Sequence, residues 1–267
     1  MVSKHLFRAA VRLGCFSLLL IALLFAPGTA QAQLFQELRQ EKEANTVALA
    51  SQTLTEIMAV PAKGIPLALL KDAEAVAIVP RVIKAGFVVG GRHGEGVLLM
   101  RNSAGAWGNP LFVSLTGGSI GWQIGVQSTD VVLVFKSRKS LEGFLTGRKF
   151  TLGADAAVAA GPVGRQATAG TDIKLESEIY SYSRSRGLFA GASLDGSVME
   201  INNREDAAYY RQPQATITNI VEGQNITVPQ GAVKLKEQLT ASTGAADLPL
   251  EPVFPQQPTL GPQAQEF

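Results

Sequence analysis

Two hydrophobic periods divide the chain. Over residues 36–60, Val47, Ala50, Leu54, Ile57 and Met58 recur at helical spacing, with Gln and Glu on the other faces. The pattern predicts an amphipathic helix that Pro61 and Gly64 stop. Ahead of it Leu34, Phe35 and Leu38 cluster. That cluster has two readings: an apolar end that meets a membrane, or one that packs on its own domain. Residues 65–73, IPLALLKDA, predict a second, short helix. From Ala75 the period shortens. AVAIVP, AGFVVGG, GVLLMR, PLFVSLTGG, IGWQIGVQ and DVVLVFKS are β-branched, apolar runs separated by Gly, Asn and Pro, which is the pattern of strands.

Between those runs, residues 90–96 (GGRHGEG) and 101–110 (RNSAGAWGNP) have hairpin-loop composition. Residues 137–147 predict a helix with Leu141, Phe144 and Leu145 on its apolar face. Strands resume in KFTLGADAAVAAG, DIKLESEIYSYSRSR and GLFAGASLDGSVMEI, followed by helices at 203–211 and 232–242. From Gly244 the chain is rich in Pro and Gln and reads as disordered. The expected fold is α+β: one domain over about residues 40–243, dominated by antiparallel strands in a sheet or partly closed barrel, with an amphipathic helix leading and a few short helices.

Residues 179–186, IYSYSRSR, alternate strictly. Tyr180, Tyr182, Arg184 and Arg186 fall on one face of an extended chain, and Ser181, Ser183 and Ser185 on the other. The small serine side is expected to nest into the fold, as are the alanines and glycines of GADAAVAAGPVG, where another element must approach the backbone. The bulky side is expected to face outward. Guanidinium forks and tyrosines suit a phosphate-bearing interface, and they equally suit an ordinary solvated face.

Composition narrows the chemistry. Residues 1–32 read as a secretory signal: Lys4, Arg8 and Arg12 precede a short apolar core, and Ala30-Gln31-Ala32 is a small-x-small cleavage site. The whole chain has 24 Lys+Arg against 22 Asp+Glu, a net charge of +2. Removing the signal takes three basic residues and no acidic ones, leaving 21 against 22 and a net charge of −1, so nucleic acid is not an expected partner. The sole cysteine, Cys15, lies in the signal, which argues against disulfides and thiolate chemistry in the exported form.

No catalytic or metal constellation emerges. His93, the one histidine outside the signal, stands in a glycine-rich turn beside Glu95, and a single histidine argues against a His-based metal centre. Residues 159–170, AAGPVGRQATAG, lack the lysine of a Walker phosphate loop, although Gly161, Gly164 and Arg165 can still present donors to an anion. Asp155 and Asp172 form no acid–base pair by spacing. No cofactor is expected, and the chain is read as a non-enzyme.

Several irregular blocks then agree together: AVAIVPRVIKAGFVVGGRHGEGVLLMR, WGNPL at 107–111, GGSIGWQIG, DVVLVF, KFTLGADAAVAAGPVGR, YSYSRSRGLFAGASLDG and the AAYY ending at Tyr210. Their order over residues 74–211 resembles the SYLF-domain family. The resemblance implies a lipid-binding module. Eukaryotic members bind phosphoinositide-containing membranes and, in fungi, regulate actin; bacterial members resembling this chain are exported or envelope-associated. Joined to the readings above, it gives the expected layout 1–32 signal, 33–73 helical segment, 74–211 SYLF-like domain, 212–243 extension with a short helix and 244–267 tail. The expected function is thus an exported, periplasmic or secreted module that binds an anionic lipid or membrane surface. The alternative is a structural or protein-interaction module of the envelope. The headgroup candidates are Arg81, Lys84, Arg148, Lys149, Arg165, Tyr180, Tyr182, Arg184 and Arg186, each basic residue contributing about 1 kcal/mol near an anionic surface. Leu34, Phe35 and Leu38 are the candidates for insertion.

Overall fold

A computed structural model describes residues 28–59, 64–146, 149–161, 178–185, 188–190 and 194–244. Its first element is the expected amphipathic helix, α1 (Gly28–Met58), which begins ahead of the predicted cleavage site. Val47, Ala50, Leu54 and Ile57 form its buried stripe. A short α2 (Leu67–Lys71) follows, burying Leu69 and Leu70.

The six apolar runs do not form six strands. They fuse into two long ones, β1 (Ala75–Met100) and β2 (Leu111–Phe135), paired antiparallel from Ala75↔Phe135 to Leu98↔Leu111. Residues 101–110 are the hairpin loop, as expected. Residues 90–96 are not a loop: they continue β1, with Gly91 opposite Gly118 and His93 opposite Thr116. Glycine serves close packing there rather than a turn. A Cβ on Gly96 would run into the backbone of Ile78 and Val79, and one on Gly94 into Val79 and Val82. The far half of β1 therefore folds back over its near half. Register shifts between Val79 and Val82 and between Gly86 and Val88 supply the bends.

Because β1 occupies one edge of β2, the remaining strands share the other. The next elements are a 3-10 turn (Lys139–Leu141), α3 (Glu142–Leu145), β3 (Phe150–Thr151), β4 (Val158–Ala160), β5 (Ile179–Ser185), β6 (Leu188–Ala190) and β7 (Val198–Ile201). β5 pairs with Asp130–Phe135 and β7 with Val113–Thr116; β3 extends the sheet beyond β7, and β4 and β6 beyond β5. The result is a curled, mostly antiparallel sheet with helices, as the α+β expectation held. Ala75–Val79 and their partners Val131–Phe135 are buried throughout, because the helical layer covers one side and the folded-back hairpin the other. Phe135 meets Phe144 edge-on at 6.0 Å and Phe150 at 6.4 Å, closing one end of this core.

Three helices close the described residues: α4 (Asn203–Tyr209), α5 (Ile217–Glu222) and α6 (Gln230–Gly244). The sequence reading had no α5. Its signal was local: Thr216 and Asn219 form a reciprocal capping box, and Gly223, at φ 71°, ends the helix. The WGNPL and AAYY blocks meet here. Asn109 Nδ2 donates to the Ile220 carbonyl at 3.0 Å, Lys236 Nζ donates to Asn109 Oδ1 at 3.1 Å, and Tyr210 donates to the Pro110 carbonyl at 2.6 Å. Trp107 lies under the Arg101 guanidinium at 4.3 Å, and Arg101 donates to the Ala73, Lys71 and Gly105 carbonyls. These motif residues clamp the hairpin loop to the terminal helices, so their role is structural.

Candidate functional site

The strand of alternating Tyr and Ser is β5, and its bulky face is not outward. Tyr182 is 1% exposed, Tyr180 is buried, and Ser181 and Ser183 are buried too, so both faces are covered. The physical reason is the chain's glycine placement. A Cβ on Gly161, just past β4, would fall inside the Tyr182 ring, so the close approach expected of the Ala/Gly segment is made by an aromatic ring. Burial pushes the Tyr182 phenol well up from its ordinary range. Tyr180 and Tyr182 are thus corrected from headgroup contacts to core residues.

Arg184 is the exception on that face. Its side chain is half-buried and paired with Glu56 of α1. Gln52 donates to Glu56 Oε1 at 2.7 Å, and that bond, aided by Arg184, holds the Glu56 carboxyl below its ordinary range. Around this pair lies an open cleft of about 250 Å³ between α1, the β1 bulge, β2 and β5, with Thr53, Arg81, Ser128 and Asp130 in its wall. The chain kinks at Arg81, φ 51°, because its N–H turns to donate to Asp130 Oδ1 at 2.9 Å. That bend brings Arg81 and Arg184, 103 residues apart in sequence, to one cleft. Arg81 is exposed, and its guanidinium has no partner among the described residues.

Beside the cleft is a patch that sequence reasoning missed. Ile83 is 50% exposed and Val126 is 75% exposed. Ile83 pairs with Ser128 and Ala85 with Val126, so Ile83 and Val126 sit diagonally on one face of the hairpin. Lys84, next to them, is exposed. The signal was present as an apolar β run, but in such a run only the fold decides which residues lie outside the core. Lys149 is exposed and pairs with Glu200 at 2.8 Å, on the distant β3–β7 edge. Arg148, Arg165 and Arg186 lie outside the described residues, and so does the Leu34 side chain. Phe35 is 65% exposed and Leu38 is 53% exposed on the leading part of α1. The structure therefore brings Arg81 and Arg184 to one cleft, leaves Lys149 apart, and turns Lys84 to the hairpin face opposite Ile83.

Among the described residues no set of three or more His, Cys, Asp or Glu is placed to hold a metal ion, and no helix is long and apolar enough to cross a membrane. Asp155 is engaged in a turn, where its Oδ2 accepts from the Thr151 N–H at 2.6 Å.

Comparison with known proteins points to the same family as the motif blocks. The family described as Las17-binding protein actin regulator (Ysc84) matches residues 116–242. SH3 domain-containing YSC84-like protein 1 from Bos taurus is 34% identical over 205 residues, 76% of this chain and 59% of that protein. Its counterpart from Xenopus laevis is 34% identical over 183 residues, 68% of this chain and 54% of its own length. Protein YSC84 of Saccharomyces cerevisiae is 36% identical over 170 residues, 63% of this chain and 36% of its own length. The chain thus spans about half the length of the animal relatives and about a third of the yeast one.

Proposed function

We propose, from the premise that this chain belongs to the SYLF (Ysc84) family, that it is a non-enzymatic module that docks on an anionic lipid surface through the bent β1–β2 hairpin. The observation that carries the reading is the exposure of Ile83 and Val126 on one face of the hairpin, with the exposed Arg81 two residues before Ile83. Apolar side chains that stand in water gain about 25 cal/mol per Å² on entering an apolar phase. Neighbouring cations add about 1 kcal/mol each at an anionic surface. Phe35 and Leu38 offer a second apolar contact on α1. The membrane met is one outside the cytoplasm, since residues 1–32 read as an export signal.

The test is co-sedimentation of the chain with vesicles of phosphatidylcholine alone and with half the lipid replaced by phosphatidylglycerol. Binding only to the anionic vesicles, weakening as salt rises, is the expected result. Equal retention on both, or on neither, would remove the reading.

A second reading is favoured by one specific finding, the description of the matching family as a Las17-binding actin regulator. On that reading a protein partner covers the same apolar patch. Capture of a defined partner that Ile83→Asp abolishes, with no vesicle binding, would favour it.

A further inference from the structure

Farther up α1 the fold gathers carboxyl groups with too few cations. Glu43 is 1% exposed and Asp206 is 2% exposed. Glu205, beside Asp206 on α4, has a mostly buried side chain. One oxygen of each, Glu43 Oε1, Glu205 Oε2 and Asp206 Oδ2, is buried without a hydrogen-bond partner among the described residues. Lys42 is shared by two of them and by Glu95: its Nζ lies 2.8 Å from Glu95 Oε2, 3.4 Å from Glu205 Oε1 and 3.8 Å from Glu43 Oε1, and no ion pair among the described residues reaches Asp206. The other titratable or charged groups around the cluster do not relieve it. Glu95 of β1 adds a fourth carboxyl, Tyr209 and Tyr210 of α4 are neutral, and the Arg211 guanidinium donates to Gln40 Oε1 at 2.8 and 3.1 Å. From β2 comes one neutral donor, the Phe112 N–H, at 2.8 Å from Asp206 Oδ1.

We propose that Glu43, Glu205 and Asp206 form a proton-operated latch that holds α1 against α4 and the sheet. A buried carboxyl that keeps its proton can donate to a neighbouring carboxylate, which satisfies two orphaned oxygens at once. Loss of those protons leaves like charges packed in a site that excludes water, and separating α1 from α4 is the direct way to rehydrate them. The latch is therefore closed at acidic and neutral pH and opens in the alkaline range. Electrostatics agree with the geometry. Burial first, then the Phe112 bond opposing it and the charges of Glu43 and Glu205 adding to it, puts the Asp206 carboxyl at about 8. Burial and then Glu205 raise Glu43 as well, while Lys42 works against the rise. The inference is independent of whether α1 or the hairpin meets a lipid.

The test is amide hydrogen exchange of the whole chain at pH 6 and pH 9, corrected for the intrinsic rate. Protection of residues 43–57 is expected to fall about tenfold or more, one pK unit of linkage being a factor of ten, while residues 75–79 hold theirs. The double variant Glu43→Gln, Asp206→Asn keeps the hydrogen-bonding shapes and is expected to hold α1 equally at both pH values. An unchanged wild type, or a double variant that loosens as the wild type does, would overturn the latch. Should the double variant not fold, carbon-13 titration of the wild-type carboxyls decides: titration of Asp206 near 8 supports the latch, and titration at about 4, the ordinary range, overturns it.

Discussion

Glu43 and Glu56 sit thirteen residues apart on the same helix, and their surroundings are opposite. Glu56 stands at an open cleft, with Gln52 and Arg184 supplying donors, and its carboxyl is held ionised. Glu43 is sealed between α1 and α4, faces the carboxyl groups of Glu205 and Asp206, and shares one lysine with Glu205 and Glu95. The first arrangement costs little, because water solvates whatever the pair does not. The second works only while protons replace the missing cations. One helix therefore carries a wet, charge-balanced end beside the cleft and a dry, charge-imbalanced segment above it.

The largest way to disturb both at once is Leu54→Ala. Leu54 lies fully buried between them on the stripe that seats α1. Its loss is expected to cost about 2–5 kcal/mol of unfolding free energy, read by chemical denaturation. Asp206→Ala attacks the dry segment alone. It removes the acceptor of the buried Phe112 N–H and is expected to cost about 1–3 kcal/mol. Asp206→Asn keeps that acceptor and is expected to be neutral below about pH 4, the ordinary carboxylate value, and increasingly stabilising from there to pH 9.

The sign follows from linkage. Asp206 and Glu43 hold protons in the folded chain at pH values where the unfolded chain has released them. Stability from this cluster is thus fully present below about pH 4, the ordinary carboxylate value, and is lost as pH rises toward about 8. Melting temperature measured from pH 5 to 9 checks the fall, and Asn at 206 should flatten it. Glu56 behaves in the opposite sense, its lowered pKa giving a contribution that is present at neutral pH and lost in acid. Glu56→Gln is expected to be the smallest effect, about 0–1 kcal/mol, because the pair is partly exposed.

The contrast also marks what a sequence can carry. The stripe Val47, Ala50, Leu54 and Ile57 announced α1 directly, since helical period and burial coincide there. The α+β class was equally legible from the apolar runs after Ala75. Their number was not, because glycine-rich stretches such as 90–96 read as turns when the glycines instead permit one half of β1 to press on the other. Alternation in β5 was real and its serine side does nest into the fold, but the tyrosine side is covered as well: a two-residue period tells which side chains share a face and not whether that face is covered. Gly161 under Tyr182 is what covers it. Of the headgroup candidates, Arg81 and Arg184 do meet, through a backbone kink at Arg81 that no composition rule foretells. Ile83 and Val126 were hidden inside apolar runs. The buried carboxyls were missed because Glu43 and Asp206 look like surface residues until α1 and α4 are brought together.

The proposed lipid-facing surface is the face of the bent hairpin that carries Ile83 and Val126, next to Arg81. The direct measurement is the partition of wild type and of Ile83→Asp, Val126→Asp onto vesicles of equal phosphatidylglycerol and phosphatidylcholine at low salt, with circular dichroism confirming that both remain folded. The wild type is expected to partition and the double variant to lose about tenfold or more, the equivalent of roughly 1.4 kcal/mol or above. Equal partition of the two folded proteins, or none by the wild type, would contradict it.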